Sequence, residues 1–408
     1  MRVLPIAALL LSLPLSLAAQ EAPAPAIGAD PLSAEIGAQG IRPVLARLSA
    51  LPAPTPQERF AMGGLEFLAG IEGMAQTLAQ VAMPNELDMV MGPLPRSRPA
   101  PGEVPRRLAP GDITALAQGV SAAMARSEAA LQGLAEGPEF GLALDPDDLW
   151  FDLDGDGQRG PQEAARPMLA QMLMGRRAPQ DTGPAPVIRF DNADAAWLSA
   201  YTHMLSGTAE MVQAFDPEPP IARTLATLER IAAARTAEGQ GITRDLGLDG
   251  FIDPMATLLD ILAQQPDPAH TRAARDHWRA MLAQNRLFWR RVATETDNRA
   301  EFIPNDAQQS VLPIAFPQGL GASWQDVLAD AEALLEGRAT IPFWRAPIGI
   351  DLGAWLQDPA PLPLTGVIQG WALAPYFSEA PRVSPESWRQ FEAMLDGRAT
   401  LMTVITLN

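Results

Sequence analysis

Between residues 152 and 163 the chain reads DLDGDGQRGPQE, with carboxylates at Asp152, Asp154 and Asp156, a glycine at Gly157 and a further acid at Glu163. Three aspartates on alternate positions of one short loop repel one another, and without a nearby cation some must protonate or splay apart. An all-oxygen cluster suits a hard ion. Calcium accepts six to eight oxygens at about 2.3–2.6 Å in a forgiving geometry, whereas magnesium demands a tighter octahedron and keeps more of its waters. The loop therefore points to calcium before magnesium.

The spacing D-x-D-x-D-G-x5-E resembles the calcium loop of the EF-hand family. That resemblance implies a calcium ion held by Asp152, Asp154 and Asp156, by the backbone carbonyl of Gln158 exposed by the turn at Gly157, and by both oxygens of Glu163. Gly160 offers no side-chain oxygen, so a water would fill its vertex. Glu163 is expected in the first turn of a helix opened by Pro161. Two features depart from the family pattern. Arg159 replaces the apolar residue that pairs two such loops, and the preceding LALDPDDLWF does not read as an entering helix. The resemblance thus covers the loop and the exiting helix, an isolated structural site whose affinity Arg159 lowers. DLGLDGFIDPMA, residues 245–256, repeats the pattern at Asp245, Asp249, Gly250 and Asp253, but Gly247 and Ala256 stand where chelating oxygens are needed. A turn capped by aspartates is expected there.

Other chemistry is more weakly supported. Glu295, Asp297 and Glu301 could serve as acid and base in glycan hydrolysis if a cleft held two of them about 5–9 Å apart. The preceding segment carries Arg272, Arg275, Arg279, Arg286, Arg290 and Arg291, so ion pairing between that loop and these arginines is the expected arrangement. His203 shares a polar helix face with Ser199, Ser206 and Glu210, and His277 adjoins Trp278; hydrogen-bonding and packing roles are expected for them. With His270 these are the only histidines, and there is no cysteine or lysine, which excludes disulfides, thiolate sites, Schiff bases and a P-loop lysine. The balance of 48 acidic against 30 basic residues, net −18, disfavours nucleic acid and anionic membrane surfaces.

Positioning these groups falls to a mainly α chain, a helical bundle or helical array, with an α+β C-terminal module. Arg2, the apolar run Val3–Leu17 and small Ser16 and Ala18 predict a cleaved signal peptide over residues 1–18, hence a periplasmic or secreted protein with no membrane span after cleavage. Residues 19–55, rich in alanine and proline, read as an extended leader. A helical domain follows over 56–180, opening at Thr55-Pro56 with Glu58 completing a capping box and presenting Phe60, Gly64, Phe67, Ile71, Met74 and Leu78 on one face. Pro84 would end this first helix, residues 92–110 form a proline-rich connector, and Asp112 caps the next helix. APQDTGPAP, residues 178–186, is the expected boundary to a second helical domain over 187–300. In residues 301–408, AEALLEGRATIPFW and FEAMLDGRATLMTV form a quasi-repeated helix–glycine–strand unit. Most of the nine tryptophans read as core. The functional expectation is an exported calcium-binding protein; the alternatives are an envelope hydrolase that uses calcium as support and a helical adaptor for a protein partner.

Overall fold

A computed structural model describes residues 27–82, 104–167, 184–237, 249–311 and 316–395. The signal segment, Pro84, most of the proline-rich connector, residues 178–183 of the boundary, residues 245–248 and the second GRAT strand lie outside the described residues.

The supposed leader is helical from residue 31. Helices α1 (Pro31–Gln39) and α2 (Ile41–Ser49) form there because Pro31 and Pro43 fall in first turns, where a helix has no use for the missing N–H. Ile36, Ile41, Val44 and Leu48 are buried against the next helix. That helix, α3 (Pro56–Ala79), has the expected capping box: Thr55 Oγ1 accepts the Glu58 N–H at 3.2 Å and Glu58 Oε2 accepts the Thr55 N–H at 2.8 Å. Its buried face is rotated from the expected one, running through Leu65, Ala69, Glu72, Ala75 and Ala79. Glycines decide this. A Cβ on Gly63 would sit 2.6 Å from Leu131, and one on Gly70 would sit 2.7 Å from Ala123, so the small residues of α3 lie directly against α4 (Asp112–Leu131). Between α3 and α4, β1 (Val81–Ala82) pairs parallel with β2 (Arg106–Arg107). Asp112 is the first residue of α4 rather than its cap; Gly111 holds the cap position, and Asp112 accepts the Ala109 N–H and pairs with Arg106.

Asp191 caps α5 (Asn192–Ala214) in a second capping box with Asp194. Helix α5 packs on α4 and on α8 (Pro268–Val292), and Trp197 touches both apolar clusters of the chain. One cluster lies around α1, α2 and α3; the other joins Leu282, Phe288 and Val292 of α8 to the C-terminal elements. Between them in sequence, α6 (Glu218–Ala237) pairs with α7 (Asp249–Leu262) through Arg223–Asp260 at 2.7 Å. Of residues 245–256, where an aspartate-capped turn is expected, the described part, residues 249–256, is corrected to helix. Ile261 and Leu262, one turn on, dock on the C-terminal cluster and extend the helical register back through the aspartates.

The reading of a mainly α chain with an α+β C-terminal module holds. Helix α9 (Leu320–Leu335) ends on Gly337, which takes the left-handed conformation at φ +70, and the chain then enters β5 (Ile341–Pro342). Strand β5 pairs antiparallel with β6 (Gly349–Ile350), and β6 with β7 (Phe377–Ser378). Short helices α10 (Leu352–Gln357) and α11 (Leu364–Gln369) lie between β6 and β7, and α12 (Glu386–Met394), the helix of the second copy, packs on α9 through Trp324 and Phe391. Among the described residues, no helix is long and apolar enough to cross a membrane.

Candidate metal centre

The acidic loop is reached from β3 (Leu142–Leu144), which pairs antiparallel with β4 (Ile188–Phe190), and then a single 3-10 turn, Pro146–Asp148; no helix enters it. Trp150 and Phe151 close its base. Both side chains are essentially buried, and the Trp150 indole donates to the Ile36 carbonyl at 3.2 Å. Phe151 N–H donates to Glu163 O at 2.8 Å, Ala165 N–H to Leu149 O at 2.9 Å, and Trp150 bridges Ala164 antiparallel. The two ends of the loop are zipped together. This pairing corrects the expected helix start: Pro161 and Gln162 form a turn, Ala164 is extended in the bridge, and the helix begins at Ala165. Glu163 therefore precedes the helix instead of lying in its first turn.

Inside the loop, Gly155 and Gly157 adopt φ +77 and +72, the left-handed region that a Cβ disfavours. Each aspartate spends an oxygen on a nearby amide. Asp152 Oδ2 accepts the Gly157 N–H at 3.1 Å, Asp154 Oδ1 the Asp156 N–H at 3.2 Å, and Asp156 Oδ1 the Gln158 N–H at 2.7 Å. One oxygen from each of the three lies within 4.8 Å of the others. Oxygens on one calcium can stand up to about 5 Å apart, twice the metal–oxygen distance, so the spacing fits a shared ion. Among the described residues this is the one group of three or more ligating side chains so arranged. Asp152 Oδ1 is buried and has no hydrogen-bond partner, a costly condition for a carboxylate oxygen unless a cation meets it.

Helix α3 fixes the backbone of Asp152. Glu72 Oε2 accepts the Asp152 N–H at 2.9 Å, Gln76 donates to the Asp152 carbonyl at 2.5 Å, and Glu72 Oε1 accepts from Arg42 of α2 at 2.6 Å. Burial pushes the Glu72 carboxyl above its ordinary range, opposed by the hydrogen bond from Asp152 and the Arg42 charge. The sequence reading missed these residues. The available signal was Glu72 and Gln76, one turn apart, interrupting the small-residue stripe of α3.

The remaining predicted ligands are placed differently. Glu163 is buried outside the aspartate group, with Oε1 accepting the Leu153 N–H at 2.7 Å and Oε2 the Gly160 N–H at 2.5 Å; it clasps the loop from within. Gln158 is exposed. Arg159 reaches back to the Asp147 carbonyl at 2.8 Å.

The chain matches no family model, no curated protein and no solved structure.

The proposed acid–base residues occupy a second acidic region at the start of α5. Glu301 Oε1 accepts the Arg299 N–H at 2.7 Å, and Glu295 Oε2 accepts from Gln308 at 3.2 Å, while Asp297 lies 3.9 Å from both Arg189 and Arg299. The expected pairing of this loop with the arginines of α8 is corrected. Arg286 and Arg279 pair with Glu332 and Glu336, and Arg275 donates to the Leu335 carbonyl, because the C-terminal end of α9 offers both acids and unpaired helix carbonyls. Burial, followed by the charge of Asp191, raises Glu295 to about 7. The sign follows: the unfolded chain releases this proton near pH 4.5 and the folded chain near pH 7, so stability falls as pH rises between those values. Glu295→Gln should therefore melt at a higher temperature than the wild type at pH 8, by about 1–2 kcal/mol after solvent screening, and show no advantage at pH 4. Paired thermal melts at the two pH values check this.

His203 and His277 bring Nδ1 atoms within 3.0 Å of each other between α5 and α8, and His203 Nε2 lies 3.8 Å from Glu128. Burial, then repulsion from His277, lowers His203 to about 4, so it is neutral at physiological pH and shares one hydrogen bond with its neighbour.

Proposed function

We propose that residues 152–163 hold one calcium ion in an EF-hand-like loop and that the ion serves structure rather than turnover in an exported, periplasmic or secreted protein. Asp152, Asp154 and Asp156 supply side-chain oxygens, with the Gln158 carbonyl as a further ligand that the resemblance implies; Glu163, which it also implies, reaches the ion only by giving up its hydrogen bond from the Leu153 or the Gly160 amide. The observation that carries the reading is the buried, unpartnered Asp152 Oδ1 beside the oxygens of Asp154 and Asp156. The ion neutralises the three charges and locks the loop above Trp150 and Phe151, while Glu72 and Gln76 hold Asp152 in place and Glu163 ties the two arms together. A hydrolase is the weaker reading, since Glu301 is buried where a glycan does not reach it.

A ligand present at a hundredfold excess over its dissociation constant stabilises the form that binds it by about 2.7 kcal/mol. Thermal melts of the wild type in millimolar calcium should therefore lie several degrees above melts in chelator, and Asp154→Ala should show no such difference. Superimposable wild-type melts in calcium and chelator would contradict the proposal.

A further inference from the structure

The chain has three histidines, and all three stand in the seam between α5 and α8. His270 Nδ1 lies 2.6 Å from Glu210 Oε2, and two turns along the seam His203 and His277 bring their Nδ1 atoms within 3.0 Å. The two ring centroids are 5.3 Å apart, close to the greatest separation that such a contact permits, so each Nδ1 points almost straight at the other. A head-on contact of this kind has room for one hydrogen. With none, two lone pairs face each other; with two, a pair of N–H groups collide. Glu128 of α4 decides which ring carries it. Its Oε2 accepts from Ser199 Oγ at 2.5 Å and from Thr202 Oγ1 at 3.1 Å, which sets Oε1 3.8 Å from His203 Nε2. A carboxylate beside Nε2 favours the tautomer with its hydrogen there, so His203 presents a bare Nδ1 and His277 donates to it.

We propose that this shared proton is an acid-sensitive latch between α5 and α8. A proton added to the bare Nε2 of His277 leaves the contact in place. A proton added to His203 Nδ1 ends it, because two N–H groups and two positive charges then meet across one hydrogen-bond distance. The rings must part, and they lie in the seam that joins α5, which gives Leu198 to one apolar cluster, to α8, which gives Leu282 to the other. Glu128 faces the pair from α4, and the Glu210–His270 pair stands two turns away on α5 and α8. Burial raises the Glu128 carboxyl above its ordinary range against the hydrogen bonds from Ser199 and Thr202, so acid removes a negative charge that would counter the second imidazolium. Burial, then repulsion from His277, lowers His203 from 6.5 to about 4. The unfolded chain therefore binds this proton first as pH falls, and the stability present above pH 6.5 is lost progressively toward pH 4.

Nitrogen-15 NMR of the histidine-labelled full chain tests the latch in the wild type itself, since the spectrum holds three rings. His270→Gln and His277→Gln assign them by the signals that each removes. At pH 7 His203 should carry its hydrogen on Nε2 and His277 on Nδ1, with a scalar coupling between the two Nδ1 atoms across the shared proton. That coupling should persist at pH 5 and vanish below about 4, as His203 takes up its second hydrogen. Urea unfolding supplies another readout, with circular dichroism at pH 7 as the folding control. Between pH 7 and pH 4 the folding constant of the wild type should fall about a hundredfold more than that of His203→Gln. Equal falls in the two proteins would overturn the proposal. So would the same tautomer in both rings at pH 7, or a coupling that outlasts the protonation of His203.

Discussion

Truncating Phe151 to alanine should cost about 3–5 kcal/mol of stability, the range for removing a fully buried aromatic ring from a packed core. Phe151 is 1% exposed and belongs to the cluster that holds Ile36, Leu142 and Ala165, so its ring fastens the loop base to α1, β3 and the following helix together. The loss has a second consequence. Asp152 is the next residue, and a base free to shift no longer presents Asp152 Oδ1 in a fixed direction, so calcium should also bind more weakly to whatever folded variant remains. Urea unfolding in chelator, followed by circular dichroism, measures the first effect. A midpoint unchanged from the wild type would mean that the loop is not anchored through this ring.

Glu72→Gln should lower calcium affinity about 10- to 100-fold, the usual cost of disturbing a group that orients a metal ligand. Glu72 touches no ion in this account. It accepts the Asp152 N–H with one oxygen and the Arg42 guanidinium with the other, and glutamine has a single acceptor for those two donors. The half-exposed Arg42 guanidinium then faces the amide N–H2 and turns to solvent, and the calcium-free protein should lose about 1 kcal/mol as well. Calorimetric titration separates the two effects, because a change in stability alone leaves the dissociation constant of the folded protein where it was. An unaltered constant would remove Glu72 from the site.

What could be read from the sequence was what is local in the chain. Thr55-Pro56-Glu58 announces a helix start because a cap and its partner lie within a few residues of each other. The left-handed Gly157 and Gly337 were legible for the same reason: one residue type accepts that backbone. The aspartate cluster was legible because alternate positions in a tight loop converge.

Partners distant in sequence were not legible. Nothing near Asp152 names Glu72, eighty positions earlier, and the arginines of α8 could not be assigned to α9 rather than to the nearer acids of residues 295–306. Composition misled in two places. The prolines of residues 31–43 sit in helix first turns, although an Ala/Pro-rich stretch reads as extended, and the Asp/Gly pattern around residue 250 was absorbed into α7 once its apolar end found a core. Most of the nine tryptophans read as core from their place on apolar seams; in the C-terminal module Trp324 and Trp355 are buried, and Trp344 and Trp371 are exposed.

The most direct test of the calcium loop is a calorimetric titration of the chelator-stripped full chain with calcium chloride, run beside Asp152→Asn. One saturable site per wild-type chain, with no saturable heat in the variant, is the predicted result. Absence of saturable heat in the wild type up to millimolar calcium, or the same isotherm in both proteins, would contradict it.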